Sequence, residues 1–275
     1  MKTLIIGAKG MLGQELAHVC ADWEPVLWDL GDIDITDQSQ VNGKVEALSP
    51  ELIINAAAYT NVDACEENEA LATKVNGEAV GYLADVAARL GATLVHYSTD
   101  YVFGGTRQGG YQENDTQNPI NAYGRSKLAG EQEILAAGLF SYYIIRTAWL
   151  YGHAGKNFVE TMLSLAEKGE PIKVVDDQVG SPTHAPDLAR ATRELVASKA
   201  EPGIYHRTNS EATSWYGFAK AIFEVYGKAV DVEPCKTIEY PRPAKRPASS
   251  ILLSTKLPPL RSWREALQEY AEHHL

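Results

Sequence analysis

The sequence predicts an α/β protein, a doubly wound parallel sheet with helices on both faces and a smaller α/β region at the C-terminal end. Three observations carry that prediction. Short β-branched runs alternate with longer helical patterns through the first half, as in strand–helix–strand units of a parallel sheet. Two of the runs, Leu4-Ile5-Ile6 and Leu52-Ile53-Ile54, are apolar at every position, as strands covered on both faces must be. The first run feeds directly into a glycine-rich loop and then an amphipathic stretch.

Taken in order, Thr3–Ile6 is the first expected strand. Met11–Val19 reads as a helix, with Leu12, Leu16 and Val19 on one face. Residues 25–28 form a second strand, 41–48 a modest helix and Leu52–Asn55 a third strand. A long helix is expected over 71–90, apolar at Leu71, Val75, Leu83, Val86, Ala87 and Leu90, with Gly91 as its C-cap. Strands at 93–98 and Tyr142–Thr147 flank a helix at 123–135. Beyond Tyr151 the pattern loosens. Helices are expected at Phe158–Ala166, 188–196, 214–226 and 263–270, and strands at Ile172–Val175 and 204–206. Pro241, Pro243, Pro247, Pro258 and Pro259 mark irregular chain between them. The expected division is a nucleotide-binding domain over residues 1–150. Residues 151–275 would form a substrate-binding cap, with some segments returning to the sheet.

Composition narrows the function. The 275 residues are 45% hydrophobic and 22% charged, ordinary values for a globular chain that needs no metal or disulfide to fold. With 25 Lys and Arg against 36 Asp and Glu, the net charge is −11. That argues against nucleic acid or an anionic membrane as partner, though not against a small anion in a local positive site. The first residues hold too short an apolar run for a secretory signal, and no run approaches a membrane span. Cys20, Cys65 and Cys235 are far apart and form no CxxC pair, so neither a disulfide framework nor a metal site is expected. A cytoplasmic protein with reduced thiols is the expectation.

Gly7-Ala8-Lys9-Gly10-Met11-Leu12-Gly13 places three glycines at a spacing of three, after a strand and at the start of a helix. Gly7 would allow the tight turn. Gly10 would let main-chain N–H groups approach a pyrophosphate, and Gly13 would let the helix pack on the sheet. The helix N-terminus adds positive potential. This is a Rossmann-like arrangement, and a ligand-free glycine turn is its alternative. Asp29 stands at the end of the second strand, where an acid accepts from the adenosine ribose and disfavours a 2′-phosphate. The alternative is a solvated loop acid, since Asp32, Asp34 and Asp37 follow.

Tyr123 and Lys127 lie four residues apart and would share a helix face. An ammonium near a phenol favours its ionised form and brings the acid towards working pH. Such a Tyr can give a proton to a carbonyl oxygen as hydride reaches the carbon. Ser98 and Thr99 end the fourth strand, where a hydroxyl can bond that same oxygen or simply cap the strand.

With the glycine loop and YxxxK, these residues resemble the extended short-chain dehydrogenase/reductase superfamily. More specific strings resemble its dTDP-4-dehydrorhamnose reductase family: Asn55-Ala56-Ala57-Ala58-Tyr59-Thr60-Asn61-Val62-Asp63, Ser98-Thr99-Asp100-Tyr101-Val102-Phe103-Gly104, and 121–131 around Tyr123. Arg146-Thr147-Ala148-Trp149-Leu150-Tyr151-Gly152 and Asp177-Gln178-Val179-Gly180-Ser181-Pro182-Thr183 continue the likeness. It runs to about residue 253.

The resemblance implies reduction of the C4 carbonyl of dTDP-4-dehydro-L-rhamnose by NADH or NADPH to give dTDP-L-rhamnose, with NADH favoured by Asp29. It implies Tyr123 as proton donor, Lys127 as its tuner and ribose anchor, and Thr99 as carbonyl hydrogen-bonder. Gly10, Met11 and Leu12 would line the pyrophosphate. Asp34 and Ile35 would lie near the adenine, and Ala56, Ala57, Ala58 and Tyr97 beside the nicotinamide half. Asp100 and Trp149 would contact the nucleotide sugar. Arg246 resembles the family's late Arg-Pro segment and would meet the substrate pyrophosphate, or else face solvent. Ala248 and Ser249 stand where the family often has Gly and Asn. Two alternatives remain open: another nucleotide-sugar reductase or epimerase, and a non-catalytic protein like the regulatory subunit of methionine adenosyltransferase. A homodimer also stays open.

Overall fold

The structure, a computed structural model, describes residues 1–274. The first half runs β1 (Thr3–Ile6), α1 (Met11–Val19), β2 (Val26–Trp28), α2 (Gln38–Leu48), β3 (Leu52–Asn55), α3 (Val62–Glu67), α4 (Glu69–Thr73), α5 (Ala79–Leu90), β4 (Thr93–Thr99), α6 (Ala122–Ala136) and β5 (Tyr142–Thr147). The second half adds β6 (Leu150–Tyr151), α7 (Phe158–Ala166), β7 (Ile172–Val175), β8 (Val179–Gly180), β9 (Thr183–His184) and α8 (Ala185–Ala197). It ends with β10 (Gly203–His206), β11 (Thr213–Ser214), α9 (Trp215–Val225), β12 (Val232–Cys235) and α10 (Trp263–His274).

Six strands form one sheet in the order β10-β5-β4-β3-β1-β2, all parallel. The chain steps from β1 outward to β2, then returns to the other side of β1 as β3. The order therefore reverses between β1 and β3, and in such sheets the crevice at this reversal takes the ligand.

The pleat sorts the apolar residues onto two faces. Leu4 and Ile6 pack with Val41, Val45, Leu83 and Val86 of α2 and α5. Ile5 points the other way and packs with Leu12 and Leu16 of α1 and Leu188 and Leu195 of α8. The uninterrupted apolar runs of β1 and β3 are thus buried on both faces. A separate core in the second half joins Tyr151, Val159, Phe218, Ile222, Trp263 and Tyr270. Segments α8 and β10 lie with the sheet, while β7, α9, β12 and α10 build around that second core.

The structure corrects the expected helix over 71–90. Helix α4 ends at Thr73, a π-helical turn covers Lys74–Glu78, and α5 begins at Ala79. The reason lies outside the segment. Within the turn, Asn76 bonds both main-chain groups of Tyr59, accepting from N at 2.8 Å and donating to O at 3.0 Å. It also donates to Ser126 Oγ of α6 at 3.0 Å. Local apolar periodicity carries no trace of those partners. Two helices start at side-chain caps the periodicity undervalued. Asp37 accepts from Ser39 N and Gln40 N, so α2 begins at Gln38, and Asn61 caps the polar α3.

Candidate active site

The glycine loop is shaped by close approach. Gly7 has φ +79°, and a Cβ there would lie 2.6 Å from Ala57 N. At Gly13 a Cβ would lie 2.0 Å from Gly7 O, so α1 can start against the loop only with glycine there. The N-cap of α1 is Gly10, which makes no side-chain cap, and no acid stands in the first turn. The helix end is therefore left with main-chain donors and no carboxylate of its own first turn, which suits an anion.

A cavity of about 450 Å³ opens at the switch point. Gly7, Gly10, Asp29, Asp34, Ile35, Ala56, Ala57 and Ala58 line it, so the structure brings together most of the expected cofactor residues. A nicotinamide dinucleotide fits this set: a glycine cradle that a Cβ would fill, an uncapped helix start, and an acid at a strand end. Asp29 Oδ2 accepts from Lys9 N at 2.8 Å and Oδ1 from Leu30 N at 2.9 Å. Asp34 Oδ1 is turned onto Thr36, accepting from its N at 2.9 Å and its hydroxyl at 2.8 Å.

Other expected residues sit less directly. The Leu12 side chain lies in the core beside Leu16, which leaves its main chain to the loop. Met11 lies against Gly152, where a Cβ would come 3.2 Å from its Cγ. Tyr97 points its ring into the same core as Leu12, and its hydroxyl donates to Thr192 at 2.8 Å. A side-chain contact with cofactor is thus not what this ring is placed for. Leu30, Ile33, Tyr59 and Val75 also line the cavity, a place the sequence did not assign them. The signal was present in Leu30-Gly31-Asp32-Ile33-Asp34-Ile35, apolar residues placed among acids.

Tyr123 lies in the first turn of α6 and Thr99 at the C-terminal end of β4. Asn121 caps α6, accepting from Gly124 N at 2.8 Å, and Glu66 accepts from Ala122 N at 2.7 Å. Gly124 is required because a Cβ would meet Tyr101 O at 2.1 Å. Burial raises the Tyr123 phenol above its usual pKa, and the Asp100 carboxylate adds to the shift. A hydrogen bond with Thr99 opposes both. Thr99 itself donates to Asp100 Oδ1 at 2.9 Å. Burial pushes the Asp100 carboxyl up to about 6 against bonds from Ser250 and Thr99.

Lys127 is 2% exposed, and burial brings its ammonium down to about 8, with Glu131 opposing. Its Nζ lies 3.1 Å from His96 Nε2, and His96 Nδ1 lies 3.2 Å from Asn55 Nδ2. In this structure the lysine thus bonds to a histidine, not the direct phenol partnership the sequence suggested. His96 was missed, although a polar residue inside the buried run Leu94-Val95-His96-Tyr97 was a readable signal. Below this group, Glu131 accepts from Arg146 Nε at 2.9 Å and Nη2 at 2.6 Å, tying α6 to β5.

The two remaining expected substrate residues, Trp149 and Arg246, each pack against a distant part of the chain. Trp149 adopts φ +47° and stacks on Trp215, ring centroids 3.5 Å apart and planes within 8°. Gly180 permits this, since a Cβ would meet the Trp149 ring at 2.6 Å. Arg246 is ion-paired: Nη2 lies 3.0 Å from Asp63 Oδ1, and Nη1 donates to Ala244 O at 2.8 Å. Asn121 Nδ2 donates to Lys245 O at 2.8 Å, docking this late segment onto the start of α6. Among the described residues, no group of three or more His, Cys, Asp and Glu side chains is placed to hold a metal ion, and no helix is long and apolar enough to cross a membrane.

The parallel sheet, the uncapped glycine loop and the Thr–Tyr–Lys group define an oxidoreductase of the extended short-chain dehydrogenase/reductase class, with a nicotinamide cofactor. Over residues 1–275 the chain matches the family described as RmlD substrate binding domain, and it belongs to that family. A dTDP-4-dehydrorhamnose reductase of Burkholderia thailandensis is 43% identical, covering 94% of this chain and 92% of the relative. The spore coat polysaccharide biosynthesis protein SpsK of Bacillus subtilis is 42% identical, covering 98% of this chain and 97% of the relative. The crystal structure of a dTDP-4-dehydrorhamnose reductase from Bacillus anthracis in complex with NADP matches with a TM-score of 0.95 at 39% identity, covering 99% of this chain and 100% of that one.

Proposed function

We propose that the protein is an NAD(P)H-dependent dTDP-4-dehydrorhamnose reductase, which reduces the C4 carbonyl of dTDP-4-dehydro-L-rhamnose to give dTDP-L-rhamnose. The observation that carries this reading is the half-buried Tyr123 phenol held against Thr99, on the helix that also bears Lys127. When bound, the nicotinamide supplies the hydride. Everything else falls to this chain's residues. Tyr123 keeps its proton across working pH, because burial disfavours the phenolate, and so has one to give to the developing alkoxide. Thr99, its hydroxyl oriented by Asp100, stabilises the same oxygen. Ala56, Ala57 and Ala58 present a thin wall, so a planar ring can lie close to the strand ends.

Residues 1–150 would chiefly serve the cofactor and 151–275 the nucleotide sugar. The Trp149–Trp215 stack offers a flat apolar wall for the sugar or base. Arg246 would turn from Asp63 to the substrate pyrophosphate, or share its charge between them. Asp29 would accept from the adenosine ribose and repel a 2′-phosphate, which would favour NADH. The NADP held by the Bacillus anthracis relative is the competing precedent.

The decisive experiment supplies dTDP-4-dehydro-L-rhamnose with NADH and with NADPH, and follows loss of reduced-nicotinamide absorbance together with the mass of the nucleotide sugar. Oxidation of either cofactor with gain of two hydrogens by the sugar is the expected result. No oxidation with either would defeat the reading.

A further inference from the structure

We propose that His96 is a positioning residue that stabilises the neutral-amine form of Lys127 in the ligand-free enzyme, and that Asn55 fixes the imidazole tautomer that does so. The inference deepens the reading of Lys127 given above and rests on hydrogen-bond directions. Asn55 ends β3 and is 1% exposed. Its Oδ1 accepts from Ala57 N at 3.1 Å. A main-chain N–H can only donate, so the amide oxygen must face Ala57. The amide nitrogen therefore faces His96 Nδ1, 3.2 Å away, and it too can only donate. His96 Nδ1 accepts, so the neutral ring carries its proton on Nε2.

That proton points at Lys127 Nζ, 3.1 Å away. An ammonium has three donors and no lone pair, whereas an amine has a lone pair to accept with. The chain Ala57 N–H to Asn55, Asn55 to His96 and His96 to Lys127 has every donor meeting an acceptor only when the lysine is neutral. An imidazolium does not rescue the ammonium. His96 is fully buried, and burial with the Lys127 charge holds its pKa well below the ordinary range.

The other groups around Lys127 leave this balance in place. Tyr123 precedes it by one turn and stays protonated. Glu131 follows by one turn and favours the ammonium, but its oxygens already accept from Arg146 of β5 and from Ser98 of β4. Asp100, past the end of β4, is engaged with Thr99. Becoming an ammonium, Lys127 would take one proton from solvent and its contact with Nε2–H would have to open. The lysine therefore titrates within reach of working pH, and the His96 contact sets where.

The test reads both groups directly in the ligand-free protein. At a pH above the lysine titration, nitrogen-15 spectra of the imidazoles should show His96 protonated on Nε2. Carbon-13 spectra of ε-labelled lysines should show Lys127 titrating near pH 8. In His96→Gln the side-chain oxygen can accept from the ammonium, and the titration should rise by about one pH unit or more, a tenfold gain in proton affinity. Asn55→Asp should act in the same direction, because a carboxylate there would accept from Nδ1–H and free Nε2 to accept. In turnover assays the pH profile of kcat/KM should move upward with the titration in both variants. A His96 proton on Nδ1 while the lysine is neutral would overturn the proposal, and that result needs no variant to fold. So would an unchanged Lys127 titration in a folded His96→Gln protein. The spectra need no substrate, so absence of reductase activity and failure of this proposal are separate outcomes.

Discussion

Asp29 Oδ2 accepts the main-chain N–H of Lys9 at 2.8 Å, so the acid that follows β2 also clamps the glycine loop. The same carboxylate is the one proposed to read the adenosine ribose, and the two roles separate on substitution. Asp29→Ala should narrow any preference for NADH over NADPH, because the charge that opposes a 2′-phosphate is gone. Stability should fall by less than about 1 kcal/mol, since the exposed Lys9 N–H can turn to water. The check is the ratio of kcat/KM for the two cofactors, with a melting curve alongside. An unchanged ratio would remove Asp29 from the ribose site.

Tyr123→Phe removes the phenolic proton and little else. The ring lies edge-on to Tyr101, centroids 5.9 Å apart, and that contact survives. Turnover should drop by roughly 10²-fold or more, the usual range for loss of a positioned acid, with folding intact. Near-normal turnover in a folded variant would reassign the proton donor.

Asp100 carries a pH signature. Its folded pKa, about 6, lies above the ordinary carboxyl value of 3.8, so the native state binds more protons than the unfolded state between those two pH values. Burial of the charged form therefore destabilises the protein above about pH 6, and the penalty fades as pH falls through that window. Asp100→Asn should be more stable at pH 8, by on the order of 2 to 3 kcal/mol. The difference should vanish towards pH 4. Turnover should fall, because Thr99 loses the carboxylate that orients it. Denaturant unfolding at both pH values tests the sign, and a variant less stable at pH 8 would refute it.

Two helical glycines should respond oppositely to alanine. At Gly130 in α6 a Cβ would lie 2.2 Å from the Asn76 carbonyl oxygen, which the π-helical turn presents to the helix. Gly130→Ala should cost about 2 kcal/mol or more, as overpacking against rigid main chain does. At Gly43 in α2 a Cβ would meet nothing within 4 Å among the described residues, and Gly43→Ala should gain about 0.5 to 1 kcal/mol. Urea midpoints for the two variants measure this directly.

Much of this molecule is legible along the chain. Strands β1 and β3 announce themselves by unbroken apolar runs, α1 by its face of Leu12 and Leu16, and the cofactor loop by three glycines between them. Tyr123, Lys127 and Thr99 stand in recognisable strings. Each of these rests on residues within a few positions of one another, where period and steric need are written locally.

What the chain alone leaves open depends on contacts between distant residues. The 71–90 segment breaks into a π-helical turn because Asn76 bonds Tyr59 and Ser126. Arg246 meets Asp63, and Trp149 meets Trp215, across long stretches of sequence. Lys127 shows the difference most plainly. Its place four residues after Tyr123 is a matter of helical spacing. Its protonation state depends on β3, β4 and α6 coming together to bury Asn55, His96 and Lys127 in one line. Burial and the direction of a hydrogen bond are properties of the packed interior, and no local pattern of residues encodes them.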